Sequence, residues 1–136
     1  MQISGLTLAH SDDAAALWHR AGLTRPWNSP EGDFRRALDG ETSTILGGFD
    51  NGFLIGTVMV GHDGHRGWVY YLAVDENRRG EGLGARLMAA AEGWLREQGA
   101  VKIQLMVRTG NEAVVGFYDR LGYEDAAVTV RAKWLI

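Results

Sequence analysis

Apolar side chains recur along this chain in two rhythms, and the switches between them mark out its elements. Leu83, Leu87, Ala90, Ala91, Trp94 and Leu95 fall at helical spacing until Gly99, which predicts a long amphipathic helix closed by a glycine. Val114, Phe117, Tyr118 and Leu121 repeat that spacing on a shorter helix ending at Gly122. Ala14, Leu17, Trp18 and Ala21 do so near the start, with Ser11 as the expected cap, Asp12 and Asp13 behind it and Gly22 as the stop. A further short helix is expected from Glu31 to Leu38.

Between the helices the period shortens to that of strands. Ile3, Leu6 and Leu8 suggest a first strand, and Thr44 to Phe49 and Phe53 to Val60 flank Asp50-Asn51-Gly52, a strong hairpin turn. A second hairpin through Asp63-Gly64-His65-Arg66-Gly67 leads into Trp68 to Val74, so three adjacent antiparallel strands are predicted. Val101 to Val107 follows the long helix as a strand, which makes strand, helix, strand one parallel crossover. Val128 to Leu135 alternates like a closing strand. The sum is a mixed α/β domain of the α+β type, antiparallel in front and parallel toward the end.

Composition narrows this picture. At 136 residues and 46% hydrophobic content the chain reads as one domain, residues 1–136. Its formal charge is −3, from 14 basic and 17 acidic residues, so no global attraction to nucleic acid or an anionic membrane is expected. No apolar run approaches a membrane span, and Met-Gln-Ile-Ser-Gly lacks the features of a signal peptide; the expected location is cytoplasmic. With no cysteine and four scattered His, no metal site is expected.

The segment from Val74 to Leu87 concentrates the chemistry: a strand end, the pair Arg78-Arg79, then Gly80, Gly82 and Gly84 at the start of the long helix. Glycines there free backbone N–H groups to turn inward at a helix N-terminus, which is a phosphate cradle, with arginine charge beside it. The same letters spell the dinucleotide fingerprint G-x-G-x-x-A. Against that reading, Asp75 to Arg79 separate strand from glycine, no acidic residue ends the next strand, and too little chain remains for a second nucleotide half. No Gly-Lys-Ser or Gly-Lys-Thr follows, as a nucleoside triphosphate loop needs, and a plain glycine-rich turn is the remaining alternative.

Arg79-Gly80-Glu81-Gly82-Leu83-Gly84 resembles the R/Q-x-x-G-x-G/A motif of the GNAT (Gcn5-related N-acetyltransferase) superfamily, preceded by the strand Tyr70-Tyr71-Leu72-Ala73-Val74-Asp75. Asn111 to Tyr123, with Asn, Phe-Tyr and Leu-Gly-Tyr in register, is similar to that family's second motif. Arg25-Pro26-Trp27-Asn28-Ser29-Pro30, Gly56-Thr57-Val58-Met59 and the second hairpin resemble its YpeA-like bacterial branch.

The resemblance implies the GNAT acyl-CoA N-acyltransferase fold, with a parallel strand pair splayed at the cofactor, and acetyl-CoA as donor to a primary amine. It implies pyrophosphate binding by Arg79, Gly80, Glu81, Gly82, Leu83 and Gly84. Backbone contacts to the pantetheine arm and thioester fall to Leu72, Ala73 and Val74, a cofactor contact near the reactive end to Asn111, and protonation of the departing thiolate to Tyr118. The acceptor is then expected against Trp27, Asn28, His65 and Arg66, with Arg66 able to pair with a carboxylate. Relatives place a basic Glu where this chain has Met106, Tyr70 or Tyr71, so the base falls to a water chain, Asp33, Asp63, His65 or Glu41. The expected partner is a small-molecule amine, with Trp134-Leu135-Ile136 offering a surface for a homodimer. The rival functions are a non-catalytic acyl-CoA-binding or regulatory module, a protein or peptide N-acetyltransferase, and an interaction scaffold.

Overall fold

Asn51 and Gly52 both sit at positive φ, 50° and 80°, the backbone that a two-residue type I′ turn requires. That turn joins β2 (Ser43–Asp50) to β3 (Phe53–His62), and a second hairpin joins β3 to β4 (Gly67–Val74). The computed structural model describes all residues from Met1 to Ile136 and divides them into two units, Met1–Met106 and Val107–Ile136.

In the first unit one sheet has the order β1-β2-β3-β4-β5, with β1 (Gln2–Gly5) and β5 (Ile103–Gln104) at its edges. The first four strands pair antiparallel, whereas β4 and β5 run parallel. Helices α1 (Ser11–Arg20) and α2 (Pro30–Asp39) cover one face, and α3 (Leu83–Glu97) covers the other. Gly56 and Thr57 of β3 show the division. A Cβ on Gly56 would stand 2.7 Å from Leu87 of α3, while the next side chain, Thr57, points the opposite way and bonds Trp18 of α1.

Leu17, Trp18 and Phe34 from the first two helices pack with Ile45, Leu54 and Ala73 of the sheet. Each fully buried large side chain contributes roughly 1.5–3 kcal/mol of transfer free energy. Beneath α3, Gly67 lies against Leu95, where a Cβ would come within 2.5 Å of the leucine methyl, so glycine is required for that helix to approach. No helix is long and apolar enough to cross a membrane.

In the second unit α4 (Glu112–Arg120) starts at Asn111, whose side chain accepts from the Val114 N–H, and stops before Gly122 at φ 91°.

Four expectations change. Ser11 is the first helical residue rather than the cap; the cap is His10, after a 3-10 turn over Leu8–His10 that also takes Leu8 out of the first strand. The strand expected from Val101 to Val107 contracts to Ile103–Gln104, because β4 keeps a regular edge for only two residues opposite it, Gly67 and Trp68. Val128 to Leu135 forms no strand and is exposed throughout: alternation alone does not make a strand without a ladder partner for its backbone.

Candidate functional site

β4 carries a bulge at its centre. Thr57 pairs with Ala73 and Met59 with Tyr70, so Tyr71 and Leu72 together oppose the single residue Val58. Tyr71 takes up the extra length at φ 51°, a left-handed conformation that is strained for a bulky side chain. The bulge falls just past the last residue paired with β5, so from Val69 onward β4 has no neighbour on that side. Asp75 donates its N–H to the Ile55 carbonyl on the β3 side. Alternation back from Asp75 turns Ala73 toward β3 and the Val74 N–H away from it, and the Tyr71 carbonyl, which accepts from Thr57 of β3, leaves the Leu72 N–H on the opposite side of the same planar peptide, toward the gap that β5 leaves. The splayed parallel pair expected from the sequence is therefore present, and Leu72 and Val74 present its free donors.

A short 3-10 turn, Glu76–Arg78, follows β4, and then the glycine loop. Gly80 and Gly82 sit at φ 84° and 77°, with open space where a Cβ would stand. Gly82 is the N-cap of α3, has no side chain to serve its amides, and accepts only the first helical bond, from the Arg86 N–H at 3.2 Å. The N–H groups of Arg79 through Ala85 donate to nothing within the chain. A run of unclaimed amides at the positive end of a fifteen-residue helix, with no Cβ in the way, fits a pyrophosphate.

The two arginines divide their work. Arg78 donates to Asp50 at 2.7 Å and to both carboxylate oxygens of Glu81 at 2.9 and 3.1 Å. Its charge is thus committed, contrary to the sequence expectation that both arginines face the phosphate; Asp50 lies in another strand, beyond the reach of local pattern. The Arg78 bonds hold Glu81 below the usual carboxylate range, and the Glu81 and Asp50 carboxylates hold Arg78 charged. Arg79 is exposed and makes no ion pair, so it is the cation left for an anionic ligand.

The expected acceptor residues lie on two loops of the same unit. Trp27 is 57% exposed, and the Asn28 N–H closes a turn onto the Arg25 carbonyl. In the second hairpin the Asp63 carboxylate accepts from the N–H groups of Arg66 and His65 and from Trp68 Nε1. Those donors, the Arg66 N–H first, hold Asp63 below its ordinary value and tie its carboxylate into the hairpin turn. Arg66 turns its guanidinium to the His65 carbonyl. Asp33 on α2 accepts from Tyr71 Oη at 2.7 Å and from Arg36. Tyr70 and Met106 are roughly half exposed, and neither brings a carboxylate.

In the second unit Tyr118 is buried, with edge contacts to Phe117 and Tyr123 at 5.0 and 5.6 Å between ring centres. Burial pushes its phenol up to about 12. Burial also raises Tyr70, with the Asp63 charge adding to it, and raises Tyr71, whose hydroxyl is bonded to Asp33. All three are raised above the unfolded value near 10, so the fold favours their protonated forms. That stabilisation is complete below pH 10 and is lost as pH rises above it, for Tyr118 through about 12. Thermal unfolding measured from pH 8 to 12 should show the midpoint falling above pH 10, less steeply in Tyr118→Phe; equal slopes in the two proteins would contradict the Tyr118 shift.

Comparison with known proteins places these features. A family model described as the acetyltransferase (GNAT) family matches residues 12–123. The structure of AAC(6')-Iy in complex with the bisubstrate analogue CoA-S-monomethyl-acetylneamine superposes at a TM-score of 0.84 with 14% identity, over 99% of this chain and 98% of that one. Aminoglycoside 6'-N-acetyltransferase AAC(6')-IG of Acinetobacter haemolyticus gives 0.82 at 16% identity, over 100% and 99%. The ribosomal-protein-S18-alanine N-acetyltransferase of Escherichia coli gives 0.80 at 25% identity, over 93% of this chain and 79% of that one. At such identities the first two establish the shared fold and nothing finer.

Proposed function

The chain belongs to the acetyltransferase (GNAT) family, and from that premise we propose that it transfers the acetyl group of acetyl-CoA to a primary amine by direct attack in a ternary complex. The observation that carries this is the pair of unclaimed amide sets on consecutive stretches of one unit, Leu72 and Val74 on the bulged strand and Arg79 to Ala85 at the helix start. Acetyl-CoA supplies an activated thioester. The loop amides of Arg79, Gly80, Glu81, Gly82, Leu83 and Gly84 bind its pyrophosphate with Arg79 alongside, and the strand backbone from Leu72 to Val74 orients the acyl arm. An N–H directed at the thioester oxygen stabilises the charge that develops there as the amine adds.

Asn111 and Tyr118 are assigned by their motif. Asn111 contacts the donor, and Tyr118 donates a hydrogen bond to the departing sulfur. Burial holds that phenol protonated, ready to donate to the sulfur as it gains charge, and the proton the amine gives up on forming the amide restores the balance as the thiol leaves. The family model reaches from α1 past α4, which supports reading residues 1–136 as one functional domain.

The acceptor we assign is a small metabolite or amino-acid-like amine, held against Trp27, Asn28, His65 and Arg66. One neighbour is named an aminoglycoside 6'-N-acetyltransferase, another holds a CoA-acetylneamine bisubstrate analogue and a third is named for a ribosomal protein, so a peptide amine is the competing acceptor. A specific observation also favours a non-catalytic acyl-CoA-binding module: the Asp63 carboxylate accepts three hydrogen bonds within its own hairpin, and Tyr70 and Met106 stand where relatives carry a basic Glu. Thiol release from acetyl-CoA, followed over a panel of amines, amino acids and peptides, separates these readings. Turnover with a small amine is the expected result; turnover confined to peptides moves the acceptor, and tight acetyl-CoA binding with turnover on no acceptor favours the module.

A further inference from the structure

Thr57 is the one polar side chain buried in the sheet's core, at 0% exposure, and each of its hydrogen bonds leads to the bulge. Its hydroxyl donates to the Tyr71 carbonyl at 2.9 Å and accepts from Trp18 Nε1 at 2.8 Å. The bulge breaks the ladder at Tyr71, which leaves that carbonyl without a backbone partner; the Thr57 hydroxyl replaces the missing donor. Trp18 then fixes the hydroxyl's direction. Because the indole N–H can only donate and the carbonyl can only accept, the single Thr57 proton is directed to Tyr71.

The Tyr71 side chain is held as firmly as its backbone. Its ring stacks on Trp18 with centres 3.9 Å apart and planes 15° from parallel, and its hydroxyl donates to Asp33 at 2.7 Å. Trp18 of α1, Asp33 of α2, Thr57 of β3 and Tyr71 of β4 thus form one connected cluster from four elements. A bulky residue persists at φ 51° only where its surroundings over-determine it, and this cluster does so.

We propose that Thr57 and Trp18 are positioning residues for acetyl transfer: they hold Tyr71 in its left-handed conformation and thereby keep the Leu72 N–H turned out toward the thioester. The proposal rests on the acetyl-CoA reading above. Without the Thr57 hydroxyl, Tyr71 relaxes toward extended backbone and the Leu72 N–H loses its fixed aim, while the glycine loop is untouched.

The test compares Thr57→Val, which keeps the shape and removes the hydroxyl, with Thr57→Ser, which keeps the hydroxyl, and with Trp18→Phe, which removes the indole N–H and retains an aromatic ring. Acetyl-CoA dissociation constants, kcat and the intraresidue HN–Hα NOE of Tyr71, which is strong at positive φ, are read for each. Thr57→Val should weaken that NOE and lower kcat about 10²-fold, the scale of a lost oxyanion donor, with the dissociation constant within about threefold. Thr57→Ser should restore both, and Trp18→Phe should lower kcat a few-fold without moving the dissociation constant. If Thr57→Val does not fold, the decision passes to Trp18→Phe. A folded Thr57→Val or Trp18→Phe with unchanged NOE and kcat overturns the positioning role. Wild type that binds no acetyl-CoA overturns the functional reading instead, and leaves the NOE arm to decide whether Thr57 sets the bulge.

Discussion

Replacing Tyr118 with Phe is expected to lower kcat about 10²-fold while leaving the acetyl-CoA dissociation constant within about twofold, the signature of a group that acts only as the leaving sulfur gains charge. The contrast with a structural tyrosine is testable because of how Tyr118 is held. Its ring is buried and packs edge-on against Phe117 and Tyr123, and Phe reproduces every one of those contacts. Its hydroxyl has no hydrogen-bond partner in the chain and is not among buried, unsatisfied atoms, so the tip of the side chain reaches solvent. Removing that oxygen breaks no internal bond. Stability should therefore stay within about 0.5 kcal/mol of wild type, as for a substitution that removes no internal contact. A variant with reduced acetyl-CoA affinity and unchanged kcat would end the donor assignment.

Gly82→Ala is the second large effect, and it falls on binding. Gly82 holds φ 77° at the N-cap of α3, where an alanine costs roughly 1–2 kcal/mol in left-handed strain. The space beside it is open, so no clash within the protein adds to that. An alanine that relaxes out of the left-handed region would instead re-aim the loop amides that must converge on a pyrophosphate. The acetyl-CoA dissociation constant is expected to rise more than tenfold, well beyond the effect of Tyr118→Phe. Equal affinity in a protein destabilised by the predicted amount would make the loop a plain turn.

How legible this was in the sequence depended on whether the cause was local. The long helix was readable from Leu83, Leu87, Ala91 and Leu95, because one helical face requires that spacing. The first hairpin was readable from Asn51-Gly52, because a type I′ turn needs positive φ at both residues. The glycine loop was legible for the same reason at Gly80 and Gly82. The splay of β4 was implied only by family resemblance: nothing in Tyr70-Tyr71-Leu72 announces a tyrosine at positive φ, and the causes of the bulge there lie at Trp18, Asp33 and Thr57, 53, 38 and 14 positions away. Trp18 was correctly expected in the core from its helical spacing, yet its N–H was the part that bears on the site. Arg78 was expected beside the phosphate and is paired with Asp50, 28 residues upstream. The terminal alternation from Val128 misled, because period two reports a strand only when another strand accepts it.

The most direct test of the account is calorimetric titration of the full chain with acetyl-CoA. One equivalent binding in the micromolar range, weakened in Gly82→Ala and unchanged in Tyr118→Phe, is the predicted result; no heat of binding at high micromolar acetyl-CoA would contradict the account.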